Sequence, residues 1–215
     1  MARAARLALE LDKVLFAPVG SQPLKSRGAS AGFEERVAMT RLAIAGEAGF
    51  EISLADAPNA SGEPNYSLET LERVQIELGA SSRLYFLMGA DSFLTLKNWH
   101  RASEIPFAAP LIVASRPGQA LESLMEMLPE GLTIEAKPGR DRTVGDQQVR
   151  GFEIGNRAGE RAEFHLLPGL KWDISATEVR ARMRTQERAA VGDAGGGRLV
   201  PEAVAEFVKR HGLYR

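Results

Sequence analysis

No cysteine occurs among the 215 residues. Disulfides, thiolate chemistry and cysteine-built zinc sites are therefore excluded, and an intracellular, cytoplasmic setting is the expectation. Histidine is scarce. His100, His165 and His211 are the only ones, and none is assigned a catalytic role. An excess of charge of one sign is also missing: the formal net charge is −1. That argues against a nucleic-acid-coating protein, while leaving room for a local basic patch that holds a small anion. No apolar run is long enough to cross a bilayer, so no membrane partner is expected. Gly195-Gly196-Gly197 is not followed by Gly-Lys-Ser/Thr, so it is no P-loop and reads as a flexible link.

What is present is a globular composition, 44% apolar and 26% charged. The length suits one domain with a substantial core, and residues 1–215 are read as a single domain. Residues 2–11 read as a helix already under way at the first residue. Residues 14–19 form a short apolar run closed by Gly20 and read as a buried strand. Phe33, Val37, Thr40 and Ile44 mark one face of a helix over 33–48, with Gly49 as its stop. Residues 51–55 alternate like a second strand. Leu68, Leu71, Val74 and Leu78 mark a helix ending at Gly79. Apolar strands follow over 84–88 and 111–114. Pro201 reads as the first position of a last helix carrying Val204, Phe207 and Val208 on one face, ended by Gly212. Residues 137–163 mix Arg and Lys with Asp and Glu, which predicts a solvated loop or hairpin rather than a basic patch.

Apolar strands alternating with helices imply an α/β fold: a Rossmann-like, doubly wound parallel sheet covered on both faces. Ligands of such sheets sit beyond the carboxyl ends of the strands. Three polar clusters fall at those ends: 20–25, Gly89-Ala90-Asp91, and Arg116-Pro117-Gly118. Each is equally a plain turn. The segment Trp172-Asp173-Ile174-Ser175-Ala176-Thr177-Glu178-Val179-Arg180 is the most specific stretch. Ser175 and Glu178 have the spacing of a capping box, after turn-forming Pro168-Gly169. A helix start offers free N–H groups to an anion, and Ser175 and Arg180 add a hydroxyl and a guanidinium suited to a polyphosphate. Taken alone, the segment is also a capped surface helix.

Taken in order, Asn65-Tyr66-Ser67-Leu68-Glu69-Thr70-Leu71, Phe86-Leu87-Met88-Gly89-Ala90-Asp91-Ser92, Trp99, Arg116-Pro117-Gly118, Ile174 to Arg180 and Gly212-Leu213-Tyr214 make the chain resemble bacterial nicotinate-nucleotide adenylyltransferases. The resemblance implies adenylyl transfer from ATP, with Mg²⁺ assisting, to nicotinate mononucleotide, giving deamido-NAD and pyrophosphate in NAD biosynthesis. It assigns the β- and γ-phosphates to Ser175 and Arg180, taken as the catalytic pair. Ile174 and Thr177 border the ATP, and Gly89 and Asp91 contact its ribose region. On the acceptor side, Trp99 would stack on the nicotinate ring, with Tyr66 and Ser67 beside it. Lys25 and Arg116 supply charge to phosphates. Trp99 is otherwise a core aromatic, Asp91 a helix cap and Arg116 half of a surface ion pair.

Two departures stand out. Gln22-Pro23-Leu24-Lys25 carries leucine where the family often has histidine. The family's opening strand and its His-x-Gly-His signature are not found, and residues 2–11 match the helix that follows them. The expectation is therefore a fold whose first strand is missing from the chain as written. Residues 14–19 and 84–88 would be that strand's neighbours, and 1–215 alone is expected to fold poorly and to be inactive. The alternatives are a truncated relative that binds nucleotide without transferring it, or a transferase with another acceptor such as nicotinamide mononucleotide or phosphopantetheine. Trp99 with Asn65-Tyr66-Ser67 favours a pyridine nucleotide.

Overall fold

The computed structural model describes residues 1–20, 31–115, 126–170, 179 and 200–214. They fall into two units, residues 1–14 with 66–172 and residues 15–65 with 173–215.

The first unit is built on a six-stranded sheet. Its spatial order is β3 (Phe86–Gly89), β4 (Leu111–Ala114), β8 (Arg161–Leu167), β7 (Gln147–Asn156) and β5 (Leu132–Ala136), with β6 (Arg142–Val144) paired to β7. β3, β4 and β8 run parallel, whereas β7 is antiparallel to both β8 and β5. The parallel core is as expected, and antiparallel β7 and β5 extend it on one side. Every residue of β4 is buried. Leu111 and Val113 join Leu68, Leu71, Phe93, Ile105, Phe164 and Leu166 in one core cluster. These come from α3 (Ser67–Leu78), α4 (Ala90–Thr95) and α5 (Ile105–Ala108) as well as the sheet. Ile112 and Ala114 face the other way, onto Ala5 and Ala8 of α1 (Ala2–Ala8). Burial on both faces is why this strand reads as an unbroken apolar run.

Residues 137–163 form the hairpin of the two expected alternatives: β6, β7 and β8 are joined antiparallel in sequence order. Gly145, at φ +57, helps turn β6 into β7. Gly159, at φ +89, closes the β7–β8 turn, where the Asn156 amide oxygen accepts from the Glu160 N–H at 3.0 Å. The charges that suggested a loop lie along strand surfaces and pair there: Lys137 with Glu153 at 3.2 Å and Arg140 with Glu163 at 2.8 Å. Gly151 is obligatory, because a Cβ there would lie 2.4 Å from the Arg140 Cβ.

His165 lies in β8 as expected and is buried. Its Nε2 sits 3.4 Å from Glu163, which also takes Arg83 at 2.6 Å, while its Nδ1 is buried without a partner. Burial holds the imidazole below its ordinary range, against the opposing pull of Glu163. Burial pushes the Glu163 carboxyl up, but Arg83, Arg140 and His165 outweigh it and hold the group low. The signs then follow from linkage. His165 with its lowered value contributes stability above the ordinary histidine range, lost as pH falls toward its folded value. Glu163 contributes stability that is lost only below the ordinary carboxylate range. The urea midpoint should therefore fall between pH 7 and about 5.5, and His165→Gln should flatten that slope. An unchanged slope in the variant would show that another group titrates.

In the second unit β1 (Val14–Phe16) pairs with β2 (Phe50–Ile52), and the Phe16 and Phe50 rings lie 5.2 Å apart. Among the described residues β1 has β2 as its strand neighbour, and β3 has β4. α2 (Phe33–Ile44) packs against β2 and against α6 (Glu202–Arg210), whose Val204 and Val208 are buried. α2 ends before the expected Gly49, because Gly46 already turns the chain at φ +81. Pro201 is the N-cap of α6, one position before the one expected.

Candidate active site

The carboxyl ends of β3 and β4 lie side by side, with Gly89 opposite Ala114. Gly89 caps α4 with an ordinary φ of −78°, and a Cβ added there would meet no atom of the described residues within 4 Å. Nothing among the described residues demands glycine at this position. Asp91 is exposed in the first turn of α4. It is not the cap, since Gly89 holds that position.

Tyr66 occupies the N-cap of α3, and its side chain makes no cap bond. Ser67 begins that helix, so its first amides are not served by a capping side chain. The Tyr66 ring lies against that of His100, with centroids 4.3 Å apart and the planes tilted by 34°. Trp99 follows a 3₁₀ turn over Leu96–Asn98 and is half-buried. Its indole N–H donates to Thr95 Oγ1 at 3.3 Å, and its ring lies 6.3 Å from that of Phe86. Trp99 is thus part of the core margin, as the plain reading held, yet it keeps exposed surface beside the Tyr66–His100 ring pair.

Sequence reasoning missed what holds this turn. Arg101 sits at φ +50, a strained conformation for a residue with a Cβ. Its guanidinium grips Glu104 through two bonds, at 2.9 and 2.6 Å. That bond holds the Glu104 carboxyl below its ordinary range. Glu69, one turn into α3, lies 3.9 Å from His100 and 4.0 Å from Arg101. No sequence motif marks these contacts. The positive-φ arginine after a tryptophan becomes visible only in coordinates.

Gly89, Asp91, Tyr66, Ser67 and Trp99 are therefore described, and all belong to the first unit. Lys25, Arg116, Ile174, Ser175, Thr177 and Arg180 lie outside the described residues, as does the triple glycine.

A cytidylyltransferase-like family model matches residues 1–182. The "probable nicotinate-nucleotide adenylyltransferase" of Gloeobacter violaceus is 33% identical over 214 residues, covering 100% of this chain and 87% of its own. The protein of the same name from Trichlorobacter lovleyi is 33% identical over 217 residues, with coverages of 100% and 91%. Among solved structures, Plasmodium falciparum nicotinic acid mononucleotide adenylyltransferase complexed with NaAD superposes at a TM-score of 0.59. Its identity is 12%, and the match covers 99% of this chain and 90% of that one. At that identity the likeness speaks for the fold alone. With the family model spanning most of the chain and one-third identity over its full length, the chain belongs to the cytidylyltransferase-like nucleotidyltransferases, among the nicotinate-nucleotide adenylyltransferases.

Proposed function

We propose that this protein transfers the adenylyl group of ATP to nicotinate mononucleotide. A 5′-phosphate oxygen of the mononucleotide attacks the α-phosphorus. The bond from that phosphorus to the bridging oxygen breaks, and pyrophosphate leaves with the electron pair. The products are deamido-NAD and pyrophosphate, and no enzyme nucleophile takes part. Catalysis rests on positioning and on stabilising charge at phosphate oxygens. Mg²⁺ arrives with ATP as part of the substrate. The cytoplasm is the setting this reading takes, since ATP is the donor.

The observation that carries the reading is the aromatic group beside the start of α3. The Tyr66 and His100 rings pack together at a tilt, Trp99 is next in chain and half-exposed, and the α3 amides beside Tyr66 carry no side-chain cap. A nicotinate ring suits Trp99, as an electron-poor face against an electron-rich one. Its carboxylate suits the uncapped helix start. In this reading Ser67 stands beside the ring, Gly89 and Asp91 border the ribose of ATP, and Lys25 and Arg116 hold phosphate. Ile174, Ser175, Thr177 and Arg180 cradle ATP, with Ser175 and Arg180 at the β- and γ-phosphates. The two units act as one nucleotidyltransferase domain, a view supported by a family match that runs through both.

The carboxylate gives the test. Nicotinate mononucleotide should bind more tightly than nicotinamide mononucleotide, which lacks the negative charge, in parallel calorimetric titrations. Equal affinities would contradict the role given to the start of α3.

A further inference from the structure

We infer that Arg101 is a positioning residue for the nicotinate mononucleotide site: it fixes the turn that carries Trp99 and His100 beside the start of α3. This rests on the function proposed above. The turn hangs between two core anchors, since Leu96 before it and Ala102 after it are buried. Between them Trp99 is half-buried, and His100 and Arg101 are exposed. Backbone bonds close both ends. The Trp99 N–H donates to the Leu96 carbonyl at 2.9 Å, and the Glu104 N–H to the Arg101 carbonyl at 3.0 Å. Trp99 leaves the first of these in an extended conformation, at φ −83° and ψ 156°. The chain then reverses at Arg101 through φ +50, a region that a residue with a Cβ enters only at a cost.

The side chain of the same residue offsets that cost. Arg101 Nε and Nη2 donate to the two Glu104 carboxylate oxygens, at 2.9 and 2.6 Å. An ordinary exposed ion pair holds little, but a two-bond fork is the geometry that does hold. The third guanidinium nitrogen, Nη1, lies 4.0 Å from Glu69 Oε1 on α3. His100 Nε2 faces the same oxygen at 3.9 Å, and its ring packs on Tyr66. The other Glu69 oxygen is buried, so this carboxylate lies against the protein and does not swing free in solvent. Arg101 thus ties the turn to the start of α5 by contact and to α3 by charge. Tyr66 and Ser67 lie on one of the segments so joined, and Trp99 on the other. A nicotinate ring laid on Trp99, with its carboxylate at the α3 start, needs the separation of those segments held fixed. Lysine at 101 would keep the charge without the fork. Glycine would take φ +50 without strain but has no side chain to tie.

The test uses the full chain carrying Arg101→Lys or Arg101→Gly, the second serving if the strained turn makes the first fail to fold. Trp99 motion is read by fluorescence anisotropy decay with the chain's other tryptophan, Trp172, replaced by phenylalanine. Calorimetric Kd values for nicotinate mononucleotide and for ATP are taken with Trp172 in place. In both variants the fast component of the Trp99 decay should grow. The mononucleotide Kd should rise about threefold while the ATP Kd stays unchanged. Glu104→Gln should act in the same direction, and Arg101→Lys added to it should contribute nothing further, because the two groups make one contact. An unchanged Trp99 decay, equal rises in the two Kd values, or additive effects of the two substitutions would overturn the inference. A looser Trp99 with an unchanged mononucleotide Kd defeats the inference alone. If the unsubstituted protein binds no nicotinate mononucleotide, the proposed function fails and this inference with it.

Discussion

Arg180→Ala is expected to lower kcat/KM for ATP by about 2–4 kcal/mol, the loss associated with a single donor to developing charge. Pyrophosphate departs with the negative charge that was shared across the α–β bridge. A guanidinium places two donors on neighbouring phosphate oxygens and stays charged throughout. Most of the loss should fall on kcat, because the charge grows as the bond breaks. Arg180→Lys should recover part of it, since charge returns without the fork. The comparison is made by steady-state kinetics. Near-normal turnover and an unchanged KM for ATP in the alanine variant would reduce Arg180 to a surface residue on a capped helix.

Trp99→Ala should weaken nicotinate mononucleotide about fivefold, the equivalent of roughly 1 kcal/mol of stacking, and leave ATP untouched. The substitution also removes a ring that packs 6.3 Å from Phe86 at the core margin, so some fall in Tm is expected. Trp99→Phe separates the two effects. It keeps an aromatic face for the ligand while losing the indole bond to Thr95. Calorimetric Kd values for both substrates read the result. Equal losses for both would mean that Trp99 only supports the fold.

The sequence made the strongest periodic and apolar segments legible, and the site only in part. α3 begins and ends where its Leu68, Leu71 and Val74 spacing and Gly79 indicate, and β4 matches residues 111–114. Both present continuous apolar surface to the core, so tertiary contacts reinforce the local pattern. β1 and β2 are shorter than their apolar runs, because strand length is set by the partner and not by hydropathy alone. Over 137–163 the hairpin of the two expected alternatives is what forms. Its charges pair across strand surfaces, and a charged surface strand carries the same composition as a loop. α4 enters the sequence reading only as the helix that Asp91 would cap; Gly89 caps it instead, and Phe93 and Leu96 anchor that region in the core. Tyr66 and Trp99 could be chosen from the motif order. The Tyr66–His100 ring contact joins residues far apart in sequence, and the positive φ of Arg101 is a property of the backbone, neither of which a residue pattern encodes.

The central claim is chemical, and product formation tests it most directly. ATP, Mg²⁺ and nicotinate mononucleotide are mixed with the protein. Pyrophosphate and deamido-NAD are then measured together. The account predicts both products in equal amounts, and only when nicotinate mononucleotide is present. Nucleotide binding with no deamido-NAD formed would contradict it and leave a binding protein in place of a transferase.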